Sequence, residues 1–472
     1  MEDKKNLAHT RISRRQMLKL MGMGTAGAML AACAPKATPT PETSADPTAK
    51  PVVEATAEPV VEATVEAAPA AEPVTIKTMW SPGNMDVYLR DCIEAYREIN
   101  PNVEFDINVI EVEQKRATEL TIMTSPGAPD FAYINFGSGL TDKLAQAGAI
   151  VPLDDYYEQY GWWDQLPDHL HTHEYEGQMY HFSVASVTTP LMWYNRSLMS
   201  ELGLEAPTSL EELYAWADVC RENGVEPLAM GNRNGWPGFH MYQCIATRTT
   251  PLEDYEKILN FDEEEYFMAD YPGFEEAFQI MRDMETKGVW AKGVLDMDDA
   301  AAQGLFLNGE ALAYETGVWA ISVMREGLGE DLDFFLFPQV KADIPTPLTA
   351  SYADEFMLSA YSEVKDEVAA FFDFVLSKDG QRIVAQVGSM PISTEITAAD
   401  MEGFADPMTG KAAELFGSGD YPVTDEIVTF WPAELYALLR DNGQAVIDGQ
   451  KTPAEVVAEF DELAAKFRAG EA

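Results

Sequence analysis

The stretch that decides the fold is VTIKTMWSPGNMDVYLRDCIEAYREINPNVEFDINV, residues 74 to 109. Residues 74–80 alternate in side-chain character, which is typical of a β-strand. The pattern changes to helical spacing over 86–99, and Asn100-Pro101 ends that helix because proline cannot continue one. Residues 103–109 alternate again and predict a second strand. The stretch therefore predicts one strand–helix–strand unit.

The same alternation continues along the chain. We expect a helix over 113–124, a proline- and glycine-containing loop over 125–129, and a third strand over 130–135. Strands separated by helices predict a mostly parallel sheet that is covered by helices on both faces, and so an α/β fold. Ligands of such sheets lie beyond the carboxyl ends of the strands. Trp80 and Asn135 should therefore lie at one rim.

Three further helices are predicted nearer the C-terminus. Thr208 and Glu211 have the spacing of a capping box, with Thr208 as the N-cap of an amphipathic helix. Apolar residues at helical spacing predict one helix over 364–387 and a last helix over 453–468.

The N-terminus has the composition of an export signal. Residues 1–32 carry six basic side chains, and 20–32 form an uncharged apolar run that is too short to span a bilayer, which takes about 20 residues. Residues 13–19 resemble a twin-arginine export motif, with Met17 in place of the usual Phe. Leu30-Ala31-Ala32-Cys33 resembles a lipobox, which would make Cys33 the lipidated first residue. The alternative is a secretory signal cut elsewhere, with Cys33 there by chance.

Gly22, Gly24 and Gly27 within this run also spell the dinucleotide-binding pattern G-x-G-x-x-G. That pattern works only where a strand leads into it and a helix begins on it. Here a charged segment precedes the glycines and a proline- and alanine-rich segment follows them. We therefore assign them to the signal and expect no cofactor.

Residues 33–73 have the composition of a tether. Residues 34–73 contain eight prolines and no aromatic residue, and PVVEATAE at 51–58 nearly repeats as PVVEATVE at 59–66. Such a segment cannot bury enough apolar surface to offset the entropy of ordering, so we expect it to be disordered. The folded body begins at Val74.

The charge of the mature chain excludes several classes of partner. Beyond residue 32 it holds 26 basic and 77 acidic residues, for a net charge of −51. Such a surface repels phosphate backbones and anionic lipids, so we expect no binding to nucleic acid. Apart from Cys33 there are three cysteines, Cys92, Cys220 and Cys244, which is not a disulfide framework. All three fit small buried apolar residues, and a Cys220–Cys244 bridge stays open.

Eight segments carry a resemblance to a known family. They are Trp80 with 94–103, MTSPGAPD at 123–130, LAQAGAIVPLD at 144–154, GQMY at 177–180, WYNRSL at 193–198, 203–208 with its APT, FLNGEALA at 306–313, and GVW at 317–319. In this order they resemble extracellular solute-binding protein family 1, the sugar-binding lipoproteins of ABC importers that are related to maltose-binding protein.

The resemblance implies a two-lobe periplasmic-binding-protein fold of type II, with a ligand cleft between lobes that close by hinge motion. Lobe 1 would comprise 74–185 plus 357–418, and lobe 2 would comprise 186–356 plus 419–472. By analogy the chain crosses between the lobes near 183–187, near 355–358 and near Tyr421. The protein would be a monomer, anchored by lipid on the extracytoplasmic side of the cell membrane, that delivers a carbohydrate to ABC permease subunits without catalysis.

Sugar sites combine flat aromatic faces with polar side chains. The candidate binding residues are Trp80, Asp130, Asn135, Trp236, Trp319, Tyr352, Asp354 and Trp431. Trp319 matches the family's G-x-W position, and Trp431 lies where relatives place a stacking aromatic. For each tryptophan, packing in the core or between the lobes is the alternative, and Asp130 has the alternative of capping a turn. Tyr352 and Asp354 stand where relatives often have a glycine pair, so they would narrow the pocket or contact the ligand.

Two other kinds of site remain as alternatives. His169, His171, His173 and His181 predict a zinc site, because neutral imidazoles bind zinc and a zinc-uptake protein would fit the same compartment. A secreted glycoside hydrolase needs two positioned carboxylates, but carboxylates are so abundant here that pairs of them carry no information. The sequence has no G-x-S-x-G, H-E-x-x-H or P-loop motif.

Overall fold

The computed structural model describes residues 73–134, 140–166, 175–259, 266–403, 405–426 and 431–471. All of them lie within one compact unit, Ala68–Ala472. The predicted signal and all but the last residue of the predicted tether lie outside the described residues. In the part of the chain that is described, no helix is long and apolar enough to cross a membrane.

Strands and helices alternate through most of this unit. The strands are β1 Val74–Trp80, β2 Val103–Val109, β3 Phe131–Tyr133, β4 His181–Thr189, β5 Leu191–Asn195, β6 Glu226–Ala229, β7 Ala311–Thr316, β8 Leu332–Phe335, β9 Leu348–Leu358, β10 Met390–Pro391 and β11 Val423–Thr424. The α-helices are α1 Asn84–Ile99, α2 Val112–Met123, α3 Leu140–Gln146, α4 Asp154–Tyr160, α5 Trp162–Gln165, α6 Arg196–Glu201, α7 Leu210–Glu222, α8 Trp236–Thr249, α9 Leu252–Leu259, α10 Pro272–Thr286, α11 Asp299–Leu307, α12 Ile321–Leu328, α13 Lys365–Leu376, α14 Lys378–Gln386, α15 Ala398–Met401, α16 Pro407–Gly417, α17 Ala433–Asp448 and α18 Pro453–Arg468.

The opening strand–helix–strand unit is confirmed. β1 and β2 have the predicted bounds and pair in parallel, with Val74 opposite Val103 and Trp80 opposite Val109. The helix between them begins at Asn84, two residues earlier than predicted, and its buried face includes Tyr88, Leu89 and Cys92. β3 then joins the other side of β1, also in parallel.

The strands form two sheets, and both are mixed. The larger sheet has the order β10-β4-β9-β3-β1-β2, with β11 beside β9, and β9 runs antiparallel to both β3 and β4. The smaller sheet has the order β6-β7-β5-β8, in which only β6 and β7 run parallel. The expected α/β architecture is present, but its sheets are less parallel than the spacing of the first three strands indicated.

Two chain segments pass directly between the sheets. β4 ends at Thr189, and after Pro190 the chain continues as β5 of the smaller sheet. In return, the chain leaves the smaller sheet after β8 and enters β9, which pairs with β4 from Thr349 to Met357. This antiparallel pair is thus the principal link between the two sheets.

Each sheet has its own core. Beside the larger sheet, α1, α5 and α13 bury aromatic side chains, and the rings of Phe182 and Phe372 stack 4.3 Å apart. Beside the smaller sheet, α7, α8, α10, α17 and α18 enclose a second core, in which Tyr242 stacks on Phe278 at 3.9 Å. A third cluster packs Met408 and other residues of α15 and α16 against the smaller sheet.

Two further helix predictions differ from the structure. The N-cap of α7 is Ser209, whose hydroxyl accepts a hydrogen bond from the backbone N–H of Glu212, and the Glu212 carboxylate accepts one from the backbone N–H of Thr208. The predicted N-cap, Thr208, is therefore one residue too early. The helix predicted over 364–387 is broken at Ser377, whose extended backbone ends α13 and whose hydroxyl caps α14.

The three cysteines of the folded body are free and buried. Cys220 and Cys244 are therefore not bridged, and burial raises the pKa of Cys220 to about 12 and that of Cys244 to about 11. Both thiols stay protonated at neutral pH and behave as small apolar residues, which confirms the simpler interpretation.

Candidate functional site

Trp236 begins helix α8 at the edge of the smaller sheet. A 3₁₀ turn over 232–234 leads to Gly235, which adopts a φ of 79° and turns the chain into the helix. A Cβ at Gly235 would lie 2.6 Å from Cγ of Arg440, so both the backbone angle and the neighbouring side chain require glycine. The turn leaves the Trp236 ring partly exposed.

Trp319 comes to the same place from the neighbouring strand, because β6 and β7 run parallel and end at the same edge of the sheet. It lies in a 3₁₀ turn over 318–320, directly after β7 ends at Thr316. A Cβ at Gly317 would lie 2.0 Å from the Trp319 ring, so the ring folds back over a position where only glycine fits. The Trp236 and Trp319 ring centroids are 6.0 Å apart. These two predicted residues are therefore brought together.

His240 completes an aromatic group with these two rings. It lies one helical turn after Trp236, with ring centroids 5.2 Å from Trp236 and 6.2 Å from Trp319. Burial lowers the pKa of His240, the charge of Arg116 lowers it further, and Glu426 partly opposes both. The imidazole is therefore neutral at pH 7, and its Nδ1 has no hydrogen-bond partner in the described part of the chain.

The charge of Arg116 acts on this group from the other half of the protein. Arg116 lies on α2, which follows β2 of the larger sheet, and its side chain is exposed. Its charge acts on His240 of α8 and on Tyr436 of α17, which both belong to the half around the smaller sheet. Glu426, which is 5% exposed, acts on the same two groups with opposite sign. The aromatic group thus lies where the two halves meet.

A direct hydrogen bond also joins the two halves. Ser322, at the start of α12, donates its hydroxyl to Oδ1 of Asn84, the first residue of α1. Asn84 is 5% exposed and its Nδ2 makes no hydrogen bond within the described ranges; the same is true of the hydroxyl of Ser81, which follows β1. These two groups supply hydrogen-bonding capacity at the carboxyl end of β1.

A buried ion pair lies on α2, the helix that carries Arg116. Lys115 Nζ lies 2.7 Å from Glu119 Oε2 on α2, and the two side chains are 0% and 5% exposed. The ammonium group also lies 4.4 Å from the ring centroid of Tyr133, the last residue of β3. Burial lowers the pKa of Lys115, and the Glu119 carboxylate opposes that shift. The pair fixes α2 against the end of β3 and so orients Arg116.

Acidic side chains of the smaller-sheet half lie in environments that disfavour ionisation. Burial raises the pKa of Glu315 in β7 well above its ordinary value, with a further contribution from Asp299, and neither carboxyl oxygen has a hydrogen-bond partner in the described structure. Burial, with Glu426 and Glu256, raises the pKa of Asp425 to about 6. Burial therefore favours the neutral carboxylic acid form of Glu315.

Trp80 and Asp130 make their contacts within the larger-sheet half. Trp80 is 0% exposed, and its indole N–H donates to Oδ1 of Asp86 at 2.9 Å. The Asp130 carboxylate accepts the backbone N–H of Lys77 in β1 at 2.7 Å, which is a long-range contact with that strand and not the turn cap that was its alternative role. With these contacts both residues have structural roles in the larger-sheet half, and neither offers a free binding group.

Trp431 is part of the core around the smaller sheet. It is 3% exposed, its ring centroid lies 4.7 Å from that of Phe460, and its indole N–H donates to the Ile258 carbonyl at 3.0 Å. Both the ring and its one donor are therefore occupied by the protein itself. The packing alternative accounts for Trp431, and we leave it out of the site.

Several candidates lie outside what the structure describes. They are Asn135, the side chains of Tyr352 and Asp354, and the histidines His169, His171 and His173. The backbone of β9 is described and pairs Tyr352 with Ser186 of β4. His181, the fourth histidine of the predicted zinc site, is 0% exposed in β4. Among the described residues no group of three potential ligands could hold a metal ion.

The sequence analysis missed His240, Arg116, Asn84 and Ser322. His240 could have been found, because it lies four residues after Trp236 in a segment with helical composition. Asn84 could have been suspected as the first polar residue after the β1 turn. Arg116 and Ser322 meet the others only through the packing of two separate halves, and no local pattern indicates that contact.

The model of a family described as "Bacterial extracellular solute-binding protein" matches residues 82–382. An alpha-glucosides-binding periplasmic protein of Rhizobium meliloti is 25% identical over 324 residues, which cover 63% of this chain and 67% of that protein.

Solved structures agree in fold. A chitin oligosaccharide binding protein superposes with a TM-score of 0.71 at 19% identity, over 84% of this chain and 99% of that one. A maltose-bound protein of T. maritima superposes with a TM-score of 0.66 at 16% identity, over 83% of this chain and 99% of that one. At such identities these likenesses establish the fold, a type II periplasmic-binding-protein architecture with two α/β lobes.

Proposed function

This chain belongs to the bacterial extracellular solute-binding proteins, and we propose that it captures a sugar or short oligosaccharide between its two halves and delivers it to an ABC permease. The observation that carries the proposal is the group of Trp236, His240 and Trp319 at the junction of the halves, with Arg116 and Glu426 beside it. The similar proteins bind alpha-glucosides, chitin oligosaccharide and maltose, which supports a carbohydrate ligand.

The chemistry of the group suits a carbohydrate. Aromatic rings provide flat apolar faces for the C–H surface of a pyranose, and polar atoms beside them take the hydroxyl groups. Asn84 Nδ2, Ser81 Oγ and His240 Nδ1 are buried atoms that have no protein partner in the described structure. Buried polar atoms of this kind are costly unless they gain a partner, and ligand hydroxyls would provide one.

Capture would proceed by closure of two lobes about the β4–β9 pair. We propose the lobe ranges 74–185 plus 357–418 and 186–356 plus 419–472, with a third crossing near Tyr421. The Asn84–Ser322 hydrogen bond and the position of Arg116 both join the halves, so both would form or strengthen on closure. The permease would recognise this closed form.

We propose that the protein acts as a monomeric lipoprotein on the extracytoplasmic side of the membrane. The basic N-terminus, the apolar run and the lipobox-like Leu30–Cys33 segment support export and acylation of Cys33. The twin-arginine-like motif over 13–19 supports the folded-state export route. Replacing Cys33 by Ala should release the protein from the membrane fraction without detergent, and persistent anchoring of that variant would contradict lipidation.

We propose capture without catalysis. The matching family is one of binding proteins, and the comparisons offer no support for the zinc or glycoside hydrolase alternatives. Titration of the purified chain with α-glucosides, maltose and chito-oligosaccharides, followed by thermal unfolding, tests the proposal. A ligand at 100 times its Kd should stabilise the fold by about 2.7 kcal/mol. Stabilisation by Zn²⁺ and by no sugar, or release of a cleaved product, would contradict it.

A further inference from the structure

Arg248 is a buried cation that has no carboxylate partner in the described structure. It lies in the last turn of α8 and is 3% exposed. Its Nε donates to the Phe337 carbonyl at 3.2 Å, and its Nη1 donates to the Cys244 carbonyl at 2.7 Å and to the Thr247 hydroxyl at 3.4 Å. All of these acceptors are neutral. Nη2 makes none of these bonds.

Lys115, the other fully buried cation among the described residues, has a carboxylate partner. Lys115 lies 2.7 Å from Glu119, and Arg325 contacts both Asp406 and Glu330. A guanidinium group stays charged at any physiological pH. A buried lysine can become neutral and so avoid the desolvation cost of a charge, but an arginine cannot. The negative end of the α8 dipole and the carbonyls offset part of that cost, but no full counter-charge is provided. Among the described residues of this strongly acidic chain, Arg248 is thus a fully buried cation without a carboxylate partner.

A small cavity lies against this guanidinium. Besides Arg248, its walls include Pro190, Leu191, Cys244, Leu348 and Phe416. The room inside is about 10 Å³, which is about the space that one water molecule needs. Polyatomic anions such as sulfate or a sugar carboxylate are too large for it. Of the residues that line the cavity, Arg248 is the one with a charged side chain, so a guest gains its main electrostatic contact from Arg248.

We propose that this cavity binds a monatomic anion, and that chloride is its natural occupant. The ion would accept hydrogen bonds from the Arg248 guanidinium group and supply the missing counter-charge. Pro190 and Leu191 lie where β4 passes into β5, and Leu348 begins β9. The site therefore lies at the two strand connections between the halves, on residues separate from the aromatic group, and it does not depend on the proposed sugar.

Bromide, which scatters anomalously and replaces chloride, is the probe. Crystals of the wild-type chain soaked in sodium bromide should show an anomalous peak within hydrogen-bond distance of the Arg248 guanidinium. In solution, replacing sodium gluconate by sodium chloride at constant ionic strength should raise Tm by at least about 1 °C. The absence of both the peak and the halide-dependent shift would overturn the proposal.

Two variants make the solution test specific. Arg248→Met removes the charge but keeps the length of the side chain, and it should abolish the difference between chloride and gluconate. Arg97→Met is the matched control, because Arg97 is 48% exposed and pairs with Glu104, and it should leave the difference unchanged. An equal chloride effect in both variants would mean general salt screening and would also overturn the proposal. If Arg248→Met does not fold, the bromide peak in the wild type decides.

Discussion

The rings of Trp236 and Trp319 meet at an interplanar angle of 60°, with their centroids 6.0 Å apart. They are inclined to each other rather than stacked, and both remain partly exposed. One follows a glycine that starts a helix, and the other folds over a glycine that ends a strand. Two backbone turns that only glycine allows therefore create one aromatic surface from residues 83 positions apart in the chain.

We expect Trp236→Ala and Trp319→Ala each to weaken sugar binding by about 10- to 100-fold. A buried aromatic anchor typically contributes about 1.5–3 kcal/mol to binding, and each 1.4 kcal/mol is a factor of ten in Kd. Because the two rings are in contact, the double variant should lose less than the product of the two single effects. Isothermal titration calorimetry with the tightest-binding of the proposed sugars measures the Kd of the two single variants and of the double variant.

Trp431→Phe is the control for this experiment. Trp431 packs on Phe460 in the core and is 3% exposed, so its replacement should lower Tm and leave the Kd for sugar within about twofold. A large loss of affinity in Trp431→Phe, with unchanged affinity in the Trp236 and Trp319 variants, would place the sugar elsewhere.

The sequence predicts local structure well and packing between halves poorly. The bounds of β1, β2 and α18 agree with the prediction because alternation, helical spacing and the Thr452 capping box act within a few residues. The break at Ser377 was missed because apolar residues continue at helical spacing on both sides of it. The antiparallel entry of β9 between β3 and β4 is decided by contacts with strands more than 150 residues away, for which no local pattern exists.

The candidate site shows the same difference between local sequence patterns, which are predictable, and packing between the halves, which is not. Trp319 was predicted by resemblance and Trp236 from loop composition, and both reach the junction of the halves. Trp80 and Trp431 were predicted from similar sequence features, but both are buried. Whether a tryptophan at the end of a strand or helix is exposed depends on which neighbours cover it. The effect of the Arg116 charge on His240 and the Ser322–Asn84 hydrogen bond could be predicted only if the arrangement of the two lobes were known.

His240 should make the stability of the fold sensitive to mild acid. Burial, assisted by Arg116, lowers its pKa in the folded state below the ordinary 6.5. As the pH falls below about 6.5 the unfolded chain takes up a proton that the folded chain does not, so stability is lost, by up to about 1.4 kcal/mol per pH unit. Urea unfolding at pH 7.5 and pH 5.5 should show a smaller loss for His240→Gln than for the wild type. Equal losses would contradict the burial of this imidazole.

Glu315 should have the opposite pH dependence. Burial raises its pKa in the folded state, so above the ordinary pKa of 4.5 the unfolded chain releases a proton that the folded chain retains. Its contribution to stability therefore declines as the pH rises, and the neutral Glu315→Gln should avoid that loss. Relative to the wild type, the variant should gain up to about 1.4 kcal/mol per pH unit above pH 4.5 until the raised pKa is reached.

Denaturant unfolding at pH 4.5 and pH 7.5 measures this gain. The exposed Glu201→Gln, at the end of α6, is the control and should change stability by less than about 0.5 kcal/mol at both values. A Glu315→Gln variant that is less stable than the wild type at pH 7.5 would mean that the carboxylate is ionised and paired in the folded protein.

The Lys115–Glu119 pair offers the sharpest test of the support beneath Arg116. Both side chains are at least 95% buried, so Glu119→Gln removes the nearest counter-charge of a buried ammonium group, at a cost of about 3 kcal/mol or more. The double variant Lys115→Met/Glu119→Gln should recover most of that loss, because the ammonium group is removed together with the Glu119 carboxylate. Lys466 and Glu462 have the same i,i+4 spacing, an N–O distance of 2.8 Å and exposures of 48% and 71%, and their coupling should be about 0.5 kcal/mol or less. Double-mutant cycles by urea unfolding compare the two pairs. Equal coupling energies would show that burial adds nothing to the first pair, and α2 would then need another anchor.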